Sequence, residues 1–564
     1  MMLQRLVEFS PRTQTPPPMY QKTRVKWLVE LRNDGILVGT RAVPLSGSET
    51  KGRDRGKEML VPHVGKTSGI RAKLLADNAQ YALGVGDHPK TPERHQAFCE
   101  LVGRCANETG EEAVKAVHEF LKTCKDKEAI LPGEATEGDI VTFRVEGCLP
   151  VDLPAVRAFW AKDTLGGGKI MQCLICGKVG PVEERLPLKI KGIPGGQMSG
   201  VAMISANAKA FESYGLEASL VGPTCRGCGE AFTNSINFML ASENHRLRVG
   251  PTAFVFWTRE ETDFNPAFLL SRPEEEDVRV LLESYRTGRY SDQTVRPEEF
   301  YALSLSASGG RAVVRDWLDT TVPQVQANLA RWFQLQMMRD SDDKPGRPFG
   351  VYALAASLYL KPNDQMVANV PRALVRCALY GGMLPDWLLA QAVGRARAEK
   401  EDRSHGREKV SRSRAALIKA VLLSQMNDYK EDYMEKLDIT STSQGYLCGR
   451  LLAELEAAQK AAINPKATIV DRYYGAASSA PATVFGNLMR GSRAHMSTLN
   501  RDKHGAFIKI DKNIQEILSG LQEFPKTLNL KEQAMFALGY YHQKAENRAA
   551  AIAHANNNRT EEEE

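Results

Sequence analysis

Two rhythms of apolar and polar residues run along this chain, and one gives way to the other near residue 322. Before that point, apolar runs are short and are cut by turn-forming residues, which is the pattern of strands. Residues 25–31 predict a strand, Asn33-Asp34-Gly35 a turn, and 36–39 the returning strand of a hairpin. Residues 79–84 predict another strand, and 253–257 a strongly apolar one. Residues 301–305 and 311–317 predict a pair joined through Ser308, Gly309 and Gly310. Helical spacing interrupts these strands. It is clearest at 92–125, where Phe98, Leu101 and Val102, then Val114, Val117, Phe120 and Leu121, share faces; it returns at 231–240 and in the charged stretch 273–300.

Beyond residue 322 the strand signals fade. Apolar residues recur every three or four positions over 328–338, 371–380, 387–397, 415–423 and 447–460, which predicts packed helices. The expected fold class is α+β: a mixed N-terminal body with a cysteine-bounded insertion, followed by an all-helical C-terminal bundle. The expected divisions are 1–165, an insertion at 166–230, a continuation of the mixed body at 231–322, a helical region at 323–425 and a terminal bundle at 426–548. Residues 549–564, with their Asn run and four closing glutamates, read as a frayed, disordered tail.

At 564 residues the chain is too long for one core, so several domains are expected. Its 43% hydrophobic and 25% charged content is that of ordinary globular proteins. No apolar run reaches membrane-spanning length and no signal peptide is visible, so the expectation is a soluble, cytoplasmic protein with no membrane partner. The net charge of +6 permits nucleic-acid binding without requiring it, which makes the location of the cations the useful question.

Two cysteine pairs carry the strongest chemical signal. Cys173 and Cys176, and then Cys225 and Cys228, are each separated by two residues, so each pair can meet one ion from a tight turn. Four thiolates form the closed tetrahedral set of a structural zinc site, and they leave no open position for a catalytic water. Zinc here would tie the 173–228 insertion together at its base. The alternative is four reduced, metal-free thiols. The other cysteines (Cys99, Cys105, Cys124, Cys148, Cys377 and Cys448) are scattered singly and read mostly as small core residues.

Three stretches concentrate positive charge. Residues 51–73 carry Lys51, Arg53, Arg55, Lys57, Lys66, Arg71 and Lys73, with Ser68 and Gly69 small enough for a nucleic-acid backbone to approach. Residues 391–419 carry Arg395, Arg397, Lys400, Arg403, Arg407, Lys409, Arg412, Arg414 and Lys419. Residues 487–503 carry Arg490, Arg493, His495, Arg501 and Lys503 on a helix and the turn after it. Each suits a phosphate backbone; the corresponding alternatives are a solvated loop, a helix–helix linker and a charged helix face. Motifs of enzymes are missing: no phosphate loop, no HExxH, no nucleophile elbow, and His245 stands without a second histidine and acid. The expectation is a protein that is not an enzyme; a zinc-containing nuclease and a pure assembly scaffold are the rival readings.

Several ordered blocks resemble one known family. They are 67–84 (TSGIRAKLLADNAQYALG), 190–196 (IKGIPGG), 205–215 (SANAKAFESYG), 254–257 (FVFW), 446–452 (YLCGRLL), 471–481 (DRYYGAASSAP) and 537–543 (ALGYYHQ). Together they are similar to the large subunit of the type I-C CRISPR surveillance complex, Cascade, over about 2–545. The resemblance implies a non-catalytic subunit at the foot of an RNA-guided complex. It would read a protospacer-adjacent motif (PAM) in double-stranded target DNA, start strand separation and R-loop formation, stabilise the displaced strand and help recruit a helicase–nuclease. Implied partners are guide RNA, the backbone subunits, the subunit that binds the 5′ handle, and a small helical subunit. That small subunit can be made from an internal start, for which Met426 and Met434 are the candidates here. Under the resemblance, Lys66, Ser68, Arg71, Lys73, Asn78, Arg311 and Arg315 become the motif-reading candidates, because Arg, Lys and Asn match base-edge acceptors and donors. Arg490, Arg493, Arg501 and Lys503 become the displaced-strand candidates. Lys73 stands where related chains tend to carry an amide.

Overall fold

The computed structural model describes all residues except 1, 14–18, 46–55, 65–68, 134, 165–167, 288–297, 340–345, 402–406, 427–432 and 564; for 285–287 and 555–563 it describes the backbone alone. The chain divides into two compact units. One contains 1–190 and 202–238, and the other contains 191–201 and 239–564.

The first unit is built on a mixed four-stranded sheet in the order β3-β2-β6-β5. Its strands are β2 (Trp27–Leu31), β3 (Val43–Pro44), β5 (Ala76–Asn78) and β6 (Ile140–Val145), and β1 (Tyr20–Val25) pairs separately with β4 (Lys57–Pro62). β2 and β6 run parallel, so the chain must cross over between them. The crossover supplies the helices Thr91–Thr109 and Glu112–Thr123, whose Phe98 and Phe120 rings each lie 6.2 Å from Phe143 on β6. Trp27, Val29, Val102, Val117, Val141 and Trp160 complete this core.

Two local expectations change here. Residues 79–84 do not form a strand. Asn78 accepts a hydrogen bond from the Tyr81 N–H and so caps a short helix, Ala79–Ala82. The hairpin at 25–39 shrinks to one bridge between Leu31 and Leu37, because β2 takes β6 and β3 as its partners.

The second unit opens with an antiparallel meander in the order β12-β11-β10-β9. Its strands are β9 (Arg246–Val249), β10 (Thr252–Thr258), β11 (Glu299–Ser308) and β12 (Arg311–Thr321). Phe254, Phe256, Phe300, Ala302 and Leu318 form one face of this sheet and join a single apolar core that continues through the helices to Tyr541. Residues 239–322 therefore belong with the helices, not with the N-terminal body. The reason is physical: their apolar face is completed by Leu329, Trp332 and Phe333 of the helix Val322–Gln336.

The two longest helices, Gln444–Ile463 and Leu530–Glu563, pack backbone to backbone. A Cβ on Gly449 would run into the Phe536 carbonyl oxygen, and one on Gly539 into the Tyr446 carbonyl oxygen. Glycine is required there by close approach, which explains the Gly within each of the blocks 446–452 and 537–543. The second helix continues to Glu563, through the positions expected to form a frayed tail. No helix among the described residues is long and apolar enough to cross a membrane.

Candidate metal centre and nucleic-acid-facing residues

The four paired cysteines converge. Their sulfur atoms all lie within 4.8 Å of one another, and Cys176 Sγ is 3.9 Å from Cys225 Sγ. Tetrahedral zinc–thiolate bonds of about 2.3 Å put neighbouring sulfurs about 3.8 Å apart, so the donor set fits one such ion. It does not fit disulfides, whose sulfurs sit about 2.05 Å apart.

Local structure explains the convergence. β7 (Lys169–Gln172) and β8 (Val179–Val182) form a hairpin, and the first pair occupies its turn. The turn is closed by hydrogen bonds from Cys173 N to Lys178 O and from Gly177 N to Cys173 O, both 2.9 Å, with Gly177 at φ 73°. A left-handed angle of this kind favours glycine. Cys225 precedes the helix Arg226–Ala241, and Cys228 lies in its first turn. A hydrogen bond of 2.9 Å from Leu174 N to Pro223 O ties the two turns together.

Electrostatics give the site its sign. Burial by itself raises the Cys173 thiol, but the backbone N–H groups of Cys176, Cys225 and Ile175 outweigh it and bring the thiol down to about 6. Cys228 is pushed up, first by burial and then by the charge of Cys225 and Cys173. Crowded thiols repel one another as thiolates, and a cation removes that penalty. Arg226 sits beside this pair with Nε 2.9 Å from Glu230 and Nη1 3.6 Å from Glu183. The sequence reading did not single out Arg226, although its i, i+4 spacing to Glu230 was the available signal.

The motif-reading candidates meet mixed fates. Lys66 and Ser68 lie outside the described residues, as do Lys51, Arg53 and Arg55. Arg71 is exposed and Lys73 half-buried, and the Lys73 backbone N–H donates to Asp77 Oδ2 at 2.9 Å. Burial, Lys73 and Arg226 all hold the neighbouring His63 below its ordinary pKa, so the turn that carries Cys225 and Cys228 and the 69–73 segment share one positive field. The Asn78 side-chain oxygen is taken by the helix cap just described.

Arg311 opens β12 at the hairpin turn, and Gln197, the residue after the 190–196 block, lies within 4 Å of where a Cβ on Gly310 would stand. Arg315 Nε donates to Ser306 Oγ at 2.7 Å.

Among the displaced-strand candidates, Arg490 and Arg493 are exposed one turn apart on the helix Phe485–Asp502. Arg501 lies on Asp502, with contacts of 2.7 and 2.9 Å. Lys503 Nζ donates to Ala461 O at 2.8 Å. Both side chains are exposed but already hold partners within the chain, so the stretch presents less free charge than its composition implies.

The 391–419 stretch is corrected further. Arg414 and Lys409 are buried against Glu399, and Lys419, fully buried, donates to Met337 O at 2.5 Å. Neither a surface patch nor a loose linker describes these three residues.

No curated protein matches this chain. The family model for CRISPR-associated protein (Cas_Csd1) matches residues 3–547, nearly the whole length and every block named above. Membership places the chain in a CRISPR complex with guide RNA and other Cas subunits. The protein belongs to the Csd1 family, the large subunits of type I-C Cascade.

Proposed function

We propose that this subunit is non-catalytic and acts by binding. It reads the protospacer-adjacent motif in duplex DNA through the segment around Arg71 and Lys73, promotes strand separation, and guides the displaced strand along Arg490 and Arg493. Helicase–nuclease recruitment belongs to the same reading. The observation that carries it is the family match over 3–547, supported by the exposure of Arg71 next to the positive field of Lys73 and Arg226. One zinc ion held by Cys173, Cys176, Cys225 and Cys228 braces the turns from below. Its chemistry is structural, because four thiolates fill the tetrahedron.

The test is a complex reconstituted with guide RNA. Arg71→Ala combined with Lys73→Ala is expected to weaken binding of motif-bearing duplex by about tenfold or more, while assembly with guide RNA is unchanged. Undiminished duplex binding removes the assignment. Elemental analysis is expected to find about one zinc per chain, lost in Cys228→Ser. A folded, metal-free wild-type chain ends the zinc reading.

A further inference from the structure

A second cationic site lies on the β12 edge of the meander, away from any stretch rich in lysine and arginine. The pairing of β11 with β12 slips at one point. Ser304 faces Asp316, and Leu305 faces Val314, so Arg315 is an extra residue. Such a bulge bends a strand and re-aims its side chains, and bulges concentrate near functional sites. Here it sends Arg315 toward Ser306 while Asp316 meets the helix Asn369–Tyr380.

Asp316 is the hub of that meeting. Arg376 Nη1 lies 3.1 and 3.0 Å from its two carboxylate oxygens, and Arg372 Nε lies 3.7 Å away. The carboxylate is mostly buried, at 18% exposure, whereas the Arg372 and Arg376 side chains are 41% and 52% exposed. Arg376 also stacks over Tyr380, 4.8 Å from the ring centre. A small cavity between strand and helix is lined by Asp316, Arg372, Arg376, Tyr380 and Ser304. The Ser304 hydroxyl is buried there with no hydrogen-bond partner.

Two guanidinium groups around one carboxylate leave one positive charge in excess, and Arg315, next to Asp316 in the strand, adds a second. A purely structural ion pair needs one arginine for one aspartate. This cluster instead holds two arginines half in solvent, with their planes fixed by a shared buried anion and a stacked ring. That is preorganisation for an outside anion, since guanidinium forks match phosphate oxygens in two-point contacts. Five residues of strand, roughly 17 Å, separate Arg311 at the turn from Asp316, so the cations line one sheet edge over the length of several phosphates.

We infer that Arg372 and Arg376, positioned by Asp316 and joined by Arg315, form a binding site for the phosphodiester backbone of a nucleic acid. The site rests on the nucleic-acid-binding reading proposed above and extends it from Arg311 and Arg315 to two arginines, Arg372 and Arg376, that the sequence did not mark.

The experiment titrates the full-length chain with labelled RNA, single-stranded DNA and duplex DNA across a range of salt. Arg372→Gln with Arg376→Gln is expected to weaken binding about tenfold and to make the salt dependence shallower by about 1.4 to 1.8, because two phosphate contacts are lost. The double lysine variant is expected to recover most of the slope, since it keeps the charge. Loss confined to RNA identifies the guide as the source of phosphates, and loss on DNA identifies the target. If thermal unfolding shows the glutamine pair to be damaged, Arg315→Gln reads the same site, with an expected change of about 0.7 to 0.9 in slope. Unchanged affinity and slope on all three polymers overturn this site, even where Arg71→Ala with Lys73→Ala still weakens duplex binding. A wild-type chain that binds none of the three overturns both readings.

Discussion

Residues 395–419 and 490–503 carry lysine and arginine at similar density, yet the first stretch holds much of its charge inside the protein while the second turns its arginines to solvent. Arg414 donates to Ser357 O at 2.9 and 3.0 Å and lies 3.3 Å from Glu399; Arg395 reaches the same carboxylate at 2.6 Å. Arg490 and Arg493 stand exposed on their helix. Charge density along a sequence therefore does not identify a binding face. What distinguishes the two is whether an acid and free carbonyls lie within reach once the helices pack.

Breaking the internal side of this contrast gives the largest effect. Arg414→Ala leaves the Ser357 and Lys409 carbonyls without their donor and Glu399 with Arg395 alone, all in a dry environment, and is expected to cost about 3–5 kcal/mol in chemical denaturation. A cost under about 1 kcal/mol would mean that water reaches Glu399 and that the stretch is a surface after all.

A smaller effect sharpens the same point through His542. Burial first, and then the nearby Lys419, hold this histidine down at about 3, against an ordinary 6.5. Neutral when folded, it takes up a proton more readily when unfolded. Its stabilisation is complete above about pH 6.5 and fades as pH falls toward 3. Between about pH 7.5 and about pH 5 the loss is expected to be about 2 kcal/mol, and His542→Asn is expected to flatten that slope. An identical pH profile for wild type and variant would show that His542 is not the group responsible.

The smallest stability effect falls on the exposed side. Arg490→Gln with Arg493→Gln is expected to change unfolding free energy by no more than about 0.5 kcal/mol, while reducing single-strand affinity and its salt dependence. A large loss of stability instead would place these two arginines with the internal set.

The same contrast separates what could be read in advance. The metal centre was legible because its geometry is local: two residues between thiols fix a turn, and only the meeting of the two turns needed the fold. The helices after 322 were legible from apolar spacing. The meander strands 301–305 and 311–317 were also legible, but their bulge was not, since an extra residue in one strand has no compositional mark. The strand expected at 79–84 failed because Asn78 caps a helix there, a local hydrogen bond that outweighs a modest strand preference. Residues 239–322 were assigned to the wrong unit because a strand's pattern shows that one face is buried without naming what buries it.

By itself, then, the sequence determined the four-cysteine donor set, the family and the helical character of the second half. Tertiary structure alone decided which cations are internal, which acid each one meets, and that Asp316 gathers arginines 56 and 60 residues away in the chain. The reason is range. Turn geometry and apolar periodicity act over a few residues and leave their record in order, whereas desolvation and ion pairing depend on what packing brings within a few ångströms from anywhere in the chain.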